Sequence, residues 1–466
     1  MRTARGLRYA LLVAATAAEL VLLQLPRHSV SSVLLVIVAG GTGGALVVLE
    51  YRSSCLRLLP VACMIGLVVF ASVSVPPRTS SDLWSYAMYG RMVTVYDKSP
   101  YDHVPAEFRR DPFEHRVSPR WRHRASVYGP LFVGVSALGA LTAGPSVAVM
   151  RLFFQLLAAL AFAATLVLVW RTTRSMGALL FLGLNPVLAV IVVNGGHNDA
   201  LVGLAILAAV LFAAKRNGGA AGALIGLAAL VKLTAGLALI GLVIWAFRHR
   251  RQRLAVTATI VSGAVVAVGY LPVLASASHV LGEADRTVTN GSPWNGLVDL
   301  LLHHDAWRNV PNPLAPNDTL TAVFYLGAAL VLAVGATLAW AAGTDPRPEP
   351  AVGVAVAAYP MAAEYAYPWY GAWALPVFAG RRLTALSAVV WLESVAVLAA
   401  LKLPLQATGP PVQSVLRVVL TDVVPPLLLV AFVVAALREF PLRRRVPLGA
   451  GTPVLDARAP SRADSG

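Results

Sequence analysis

Long apolar runs recur along the whole chain and are separated by short polar segments. Most of them are close to the roughly 20 residues that an α-helix needs to cross a hydrocarbon layer of about 30 Å. The clearest runs are Leu7–Leu25, Val30–Leu49, Leu58–Val75, Val147–Trp170, Leu254–Leu274, Leu320–Ala341 and Val415–Leu437. With the shorter runs between them, they predict an all-α, polytopic membrane protein with about 14 transmembrane helices, in a range of about 12 to 15.

The composition supports this class. Of the 466 residues, 58% are hydrophobic and 13% are charged, and the mean hydropathy is +0.70, which excludes an ordinary soluble domain. The net charge of +16 does not predict a nucleic-acid partner, because most basic residues lie in short turns between apolar runs, where they orient helices. The turns predicted to be cytoplasmic contain Arg52/Arg57, Arg171/Arg174, Lys215/Arg216, Arg248/Arg250/Arg251/Arg253, Arg381/Arg382 and Arg443/Arg444/Arg445.

Counting helices from a basic N-terminus divides the chain into parts. We expect N-terminal transmembrane helices in 1–75, a large outer loop after the third helix in 76–128, core helices in 129–274, a second outer loop in 275–318, C-terminal transmembrane helices in 319–440 and a disordered cytoplasmic tail in 441–466. The large loop carries nine Lys or Arg, which alone would favour the cytoplasm, but loops of this length are weak topology signals. The short run Leu131–Ala143 is expected not to cross or to be strongly tilted, and an ordinary crossing stays an alternative.

One carboxylate, Asp82, follows the third apolar run directly. An ionisable group placed where a membrane protein meets water indicates a functional site. Tyr86 and Tyr89 share its helical face, so we expect a partly dry, aromatic setting. A pairing of Asp82 with another acid of the loop stays open, the other acids being Asp97, Asp102, Glu107, Asp111 and Glu114.

Lys232 splits the apolar stretch Ala220–Phe247 into two halves. A lysine at mid-membrane costs about 3 kcal/mol or more, so we expect two short helices that turn at Lys232 and leave its ammonium in a polar cavity. The alternative is a lysine that snorkels from one ordinary helix.

A polar turn, residues 194–199, lies between two apolar runs. Asn198 or Asp199 can cap the following helix. His197 and Asp199 also suit the binding of a hydroxylated substrate, but they lack the further ligands of a zinc site. No metal site is predicted, although a divalent metal stays open.

Taken in order, these motifs resemble the GT-C glycosyltransferases and, more narrowly, the actinobacterial polyprenol-phosphomannose-dependent α-1,6-mannosyltransferases. The resemblance runs from about Asp82 to Pro376. It rests on Asp82-Leu83-Trp84-Ser85-Tyr86, Gly90-Arg91, Ser99-Pro100-Tyr101, Tyr128-Gly129-Pro130-Leu131, Asn185-Pro186, Gly196-His197-Asn198-Asp199, Lys232, Tyr367-Pro368-Trp369-Tyr370 and Trp373-Ala374-Leu375-Pro376.

The resemblance implies a GT-C-like fold and the transfer of mannose from polyprenyl-phosphate-mannose to a hydroxyl of a glycan or glycolipid acceptor, with inversion. It implies Asp82 as the general base and Lys232 as a cation at the donor phosphate. We add Arg91 as a second phosphate ligand. The expected substrate-binding residues are Tyr86, His197, Asn198, Asp199, Trp369 and Tyr370.

Two rings of this set have a particular predicted role. Trp369 or Tyr370 is expected to stack on an acceptor sugar, with Pro368 interrupting a helix to expose them. The alternative is an aromatic belt at the membrane interface.

The expected location is a bacterial plasma membrane, with the active site facing outward. The expected partners are the lipid-linked donor, the acceptor and membrane lipids, without a cofactor. The cations of the outer loop are expected to attract the anionic donor or, alternatively, anionic lipids in general. Transfer of arabinose or glucose stays an alternative, as does a secondary transporter or lipid flippase, although the two halves of the chain show no convincing repeat.

Overall fold

A computed structural model describes residues 2–276, 287–298, 316–404 and 411–441. All regular secondary structure within these ranges is helical, in agreement with the predicted all-α class. Most of the predicted second outer loop and all but the first residue of the predicted tail 441–466 lie outside the described residues.

Each of the seven clearest apolar runs coincides with one helix or with consecutive helical segments. The α-helices are α1 (Arg2–Leu22), α2 (Val30–Arg52), α3 (Leu58–Ser74), α4 (Asp82–Thr94), α5 (Pro119–Arg122), α6 (Pro130–Ala143), α7 (Val147–Thr173), α8 (Met176–Gly183), α9 (Asp199–Ala214), α10 (Gly218–Val231), α11 (Leu237–Arg248), α12 (Gln252–Tyr270), α13 (Pro316–Ala342), α14 (Glu349–Ala362), α15 (Gly371–Phe378), α16 (Ala385–Leu401), α17 (Pro411–Val418) and α18 (Val424–Glu439). Short 3-10 helices cover Pro105–Glu107, Glu114–Arg116, Leu233–Gly236, Leu271–Val273 and Pro368–Tyr370, and π-helices cover Val187–Val193 and Val419–Val423.

Five helical segments of the described chain are long and apolar enough to cross a membrane: Val30–Arg52, Val147–Thr173, Gln252–Ser276, Leu320–Ala342 and Val412–Glu439. The pair Met176–Gly183 and Val187–Val193, bent by 42°, would count as a sixth. Several shorter apolar helices accompany them, α6 among them, so the predicted count of about 14 and the path of 131–143 stay predictions.

Large apolar side chains on the long helices face outward. Leu160 on α7, Ile260 on α12 and Val430 on α18 are all more than half exposed. Exposed apolar surface of this extent is costly in water and suits contact with lipid. The protein is therefore a membrane protein.

The packing of four helices places the polar motifs together. α9 packs against α10 and α15, and α15 also packs against α14. As predicted, the helix breaks at Lys232: α10 ends at Val231, Lys232 is extended with φ −151° and ψ 113°, and a 3-10 turn leads into α11. The start of α9, the end of α10 and the start of α15 therefore meet.

Candidate functional site

Asp82 is the first residue of α4. A carboxylate is favoured there because the free N–H groups at a helix N-terminus carry partial positive charge. Its backbone N–H donates to Ser80 Oγ at 3.2 Å. The Asp82 side chain is 17% exposed, so a ligand can reach it while most of its surroundings are protein.

The polar turn before α9 is held against the end of α3. The Asn194 side-chain amide donates to the carbonyls of Ser72 and Val75 at 2.9 and 3.0 Å, at a helix end where carbonyls lack partners within the helix. Gln155 of α7 donates to the Asn194 carbonyl at 2.7 Å. These bonds fix the turn close to Asp82.

Gly196 is required by the shape of this turn. Its φ is +62°, and a Cβ there would lie 2.9 Å from Phe154 Cβ and 3.0 Å from Leu83 Cδ1. Glycine adopts this backbone conformation at little cost. The next residue, His197, then points at the acid, with its Nδ1 3.7 Å from Asp82 Oδ2.

An ion pair joins α9 to α10. Lys232 Nζ lies 2.9 Å from Asp199 Oδ1, and Trp373 Nε1 donates to the same oxygen at 2.7 Å. The Asp199 side chain is fully buried, whereas that of Lys232 is 15% exposed. The ammonium also lies 4.6 Å from the ring centroid of Tyr370 and 5.9 Å from that of Tyr128, within cation–π range.

The predicted N-cap is only partly correct. α9 begins at Asp199, directly after Asn198, but neither side chain makes a capping hydrogen bond. The Asp199 carboxylate binds Lys232 and Trp373 instead. Because a charge-assisted bond is stronger than a neutral cap, the carboxylate is oriented by its cation.

The aromatic segment around Pro368 differs from its prediction. Trp369 and Tyr370 are each 6% exposed, so the expectation that Pro368 exposes them is wrong. Trp369 stacks on His197 at 4.3 Å and on Tyr367 at 4.4 Å between ring centroids. Trp369 therefore packs against His197 and Tyr370 lies over Lys232, and their contact with a sugar stays a prediction.

Burial shifts the acid–base behaviour of the two groups at the centre of the site. It raises the pKa of Asp82 to about 6, against the charge of Lys232 and, more weakly, that of Arg27. Burial, and then the charge of Lys232, lower the pKa of His197 to about 3. At neutral pH the site therefore contains an ionised Asp82 beside an uncharged imidazole.

Several buried polar atoms in the site have no hydrogen-bond partner among the described residues. They are His197 Nδ1 and Nε2, Asn198 Nδ2 and Oδ1, and Asp199 Oδ2. A buried polar atom without a partner costs about 1–3 kcal/mol, and buried groups in proteins are rarely left so. The polar turn thus contains atoms without a hydrogen-bond partner, and their contact with the hydroxyl groups of a substrate stays a prediction.

Arg91 and Tyr86 occupy different surroundings from Lys232. Arg91 Nε donates to Asp111 Oδ2 at 2.7 Å and Nη1 donates to the Gly144 carbonyl at 2.9 Å, with the Arg91 side chain 8% exposed. Arg91 thus ties α4 to the loop and to the end of α6, and its binding of a phosphate stays a prediction. Tyr86 is buried edge-on against Tyr128 at 5.0 Å, and its contact with a substrate stays a prediction.

The second acid of the site is Asp199, on α9, and not an acid of the loop that follows Asp82. His197 Nδ1 lies 3.7 Å from Asp82 Oδ2 and 3.9 Å from Asp199 Oδ2. Three loop acids bind other groups: Asp111 binds Arg91, Glu107 binds His103, and Glu114 binds Arg122. Sequence spacing could not reveal this arrangement, because Asp82 and Asp199 are brought together only by tertiary packing.

Trp373 is a site residue to which sequence reasoning gave no role. It lies in the motif Trp373-Ala374-Leu375-Pro376, which indicates a site near it. Its bond to Asp199 depends on the packing of α15 on α9, which the motif does not reveal. Among the described residues, no group of three or more His, Cys, Asp or Glu side chains is arranged to hold a metal ion. The expectation of no cofactor stays untested.

Comparisons with known proteins match the part of the chain that contains most of this site. Residues 61–248 match the family model described as the N-terminal domain of alpha-(1->6)-mannopyranosyltransferase, which confirms the resemblance over that range. Alpha-(1->6)-mannopyranosyltransferase A of Corynebacterium glutamicum is 27% identical over 192 residues. That match covers 40% of this chain and 38% of the curated relative. No solved structure matches the chain.

Proposed function

We propose, on the premise that residues 61–248 belong to the alpha-(1->6)-mannopyranosyltransferase N-terminal domain family, that this membrane protein is a mannosyltransferase. Its donor is polyprenyl-phosphate-mannose, and its acceptor is a hydroxyl of a glycan or glycolipid. The observation that carries the proposal is the meeting of Asp82 with His197, Asp199 and Lys232. One reachable carboxylate thus stands at the rim of a buried polar cluster.

Asp82 is the general base of the proposed reaction. Its carboxylate takes the proton of the acceptor hydroxyl while that oxygen bonds to the anomeric carbon of the donor sugar. The bond between the anomeric carbon and the phosphate oxygen breaks, and its electron pair leaves on the phosphate. Attack from the face opposite the phosphate inverts the anomeric configuration. A pKa of about 6 suits this role. At neutral pH the carboxylate is ionised, and its pKa is close enough to the working pH for it to accept a proton readily.

The surrounding residues keep the base ionised and bind the acceptor. The charge of Lys232 opposes the rise in the Asp82 pKa, and Asp199 and Trp373 hold that lysine in place. The unpartnered atoms of His197 and Asn198 bind acceptor hydroxyls. Because lipid phosphate is a good leaving group, a second carboxyl acting as general acid is not needed.

The site faces the outer side of the membrane in this proposal. Arg91, at the loop end of α4, binds the Gly144 carbonyl just before α7 begins. The other end of α7 carries the basic turn Arg171/Arg174, where Arg381 donates to the Thr172 carbonyl. α7 has 27 residues, a length of about 40 Å, so the loop and the basic turns lie at opposite ends, and basic turns favour the cytoplasm.

The test is a transfer assay with matched acid variants. Membranes containing the protein are incubated with radiolabelled polyprenyl-phosphate-mannose and an α-mannoside acceptor. We expect Asp82→Asn to lower transfer by about 100-fold or more, as loss of a general base does. Asp97→Asn is the control, because Asp97 is an exposed acid of the same loop with a φ of 51°, which asparagine accepts.

Equal transfer by the native protein and Asp82→Asn at equal abundance would remove Asp82 as the base. Labelling from a lipid-linked arabinose or glucose donor, and none from mannose, would keep the chemistry and change the sugar. No transfer from any of these donors would contradict the enzyme assignment.

A further inference from the structure

A cavity with a volume of about 450 Å³ lies beside the site and is lined by basic side chains. Its cations come from separate parts of the chain: Arg27 between α1 and α2, Arg120 in α5 and Arg417 in α17. His28 lines it as well. No carboxylate occurs among its described lining residues. The volume is in the range of small-molecule sites.

The cavity adjoins Asp82 through a stack of rings. Tyr367 lines it and stacks on Trp369, which stacks on His197, whose Nδ1 is 3.7 Å from Asp82. Lys402 connects the same region to the start of α4, because its buried ammonium donates to Thr79 Oγ1 at 2.8 Å.

The local chemistry suits an anion. The Nε of Arg27 is buried and has no hydrogen-bond partner among the described residues. His28 Nδ1 is 2.9 Å from the Leu403 carbonyl, which it can meet only as a donor. Burial, and then the charges of Arg27 and Lys402, lower the pKa of His28, so at neutral pH this ring adds no charge and the cations of the cavity are its arginines. Converging like charges repel each other, and a bound phosphate oxygen reverses that cost.

We infer that this basic cavity, with Arg27, Arg120 and Arg417 as its cations, binds the phosphate of a polyprenyl phosphate, the leaving group of the lipid-linked donor. The inference rests on the proposed function and deepens it. It differs from the sequence-based assignment of the phosphate to Lys232 and Arg91, whose side chains form ion pairs with Asp199 and Asp111. Arg27 is close enough to Asp82 for its charge to oppose the rise in the pKa of that carboxyl.

The test measures binding of farnesyl phosphate, a short prenyl phosphate without sugar, to the full chain in nanodiscs of neutral phosphatidylcholine. Farnesol, inorganic phosphate and phosphatidylglycerol serve as competitors. We expect Arg27→Gln and Arg120→Gln each to weaken binding by about 10- to 100-fold, the effect of losing a charge-assisted hydrogen bond. Arg110→Gln, an equal charge change at an exposed arginine of the same loop, should leave affinity within about twofold. Arg27→Lys should retain part of the binding and covers the case in which Arg27→Gln fails to fold.

Affinities of Arg27→Gln and Arg120→Gln equal to that of Arg110→Gln would overturn the inference. Competition by phosphatidylglycerol or inorganic phosphate as strong as that of unlabelled farnesyl phosphate would also overturn it, since the cavity would then take anionic lipid or free phosphate without preference. Because the probe carries no sugar, its binding does not depend on transfer. Arginine-dependent binding without mannosyl transfer would support the cavity and contradict the proposed function. Mannosyl transfer without arginine-dependent binding would support the proposed function and contradict the phosphate cavity.

Discussion

The pH dependence of transfer is the sharpest consequence of the site. Burial raises the pKa of Asp82 to about 6, and only its ionised form can accept the acceptor's proton. With that value the carboxylate is about nine-tenths ionised at pH 7 and about one-tenth ionised at pH 5. The rate constant at limiting substrate should therefore fall about tenfold between pH 7 and pH 5, with its midpoint near pH 6.

The assay is the initial rate of mannosyl transfer by the purified protein in nanodiscs, measured from pH 4.5 to pH 8 at limiting donor and acceptor. Recovery of activity on return to pH 7 separates titration from unfolding. His197 cannot produce this limb, because its pKa is lowered to about 3 and the ring stays neutral throughout the range. His197→Asn should therefore lower the rate without moving the midpoint.

Lys232 provides a second test of the pKa of Asp82. Its charge opposes the rise in the Asp82 pKa, so Lys232→Gln should move the acid limb to higher pH. A midpoint near pH 4 in the native protein, the ordinary range of an aspartate, would refute the reasoning. An unchanged midpoint in Lys232→Gln would refute the coupling between the two residues.

The remaining predictions concern the structure around the site. Lys232→Met should lower the free energy of unfolding by about 3–5 kcal/mol, because it leaves the Asp199 carboxylate buried without its cation, and Asp199→Leu in the same chain should restore much of it; additive losses in chemical denaturation would contradict a pair. Gly196→Ala should cost about 1–3 kcal/mol because of its positive φ and close neighbours, whereas Gly134→Ala, with open space at its Cβ, should be neutral or stabilising; equal melting temperatures of the two variants would argue against the strained turn. Arg91→Gln should destabilise the fold by about 3 kcal/mol, because it leaves the buried Asp111 carboxylate without its cation, and it should leave farnesyl phosphate affinity unchanged. A stable Arg91→Gln variant with weakened binding would instead assign Arg91 to the donor phosphate.

The helices could be predicted because their signals are local. Apolar runs of membrane length mark α2, α7 and α12, and the break at Lys232 follows from the cost of a charge at mid-membrane. The motifs around Asp82 and His197 were also found, because acids and histidines are rare in a chain with 13% charged residues. These features depend only on residues that are close together in the sequence, so they can be predicted without knowing how the helices pack.

The partners of these residues could not be predicted, because they come from distant helices. Nothing near Asp199 in sequence indicates that Lys232 and Trp373 bind one of its oxygens. Arg91 follows Asp82 closely, yet packing directs it to Asp111. The sequence predicts that Pro368 exposes Trp369, but tertiary contacts bury this ring against His197. Pairing of this kind is decided by helix packing and not by spacing along the chain.

The most direct test of the account is a structure of the full-length Asp82→Asn variant with the lipid-linked mannose donor and an α-mannoside acceptor bound. The substitution keeps the shape of the side chain and slows the transfer by about 100-fold or more, so both substrates should be trapped. The account predicts one acceptor hydroxyl within about 3 Å of the residue 82 side chain and on line with the anomeric carbon. An acceptor hydroxyl that approaches the anomeric carbon beside another acid, with residue 82 out of reach, would contradict it.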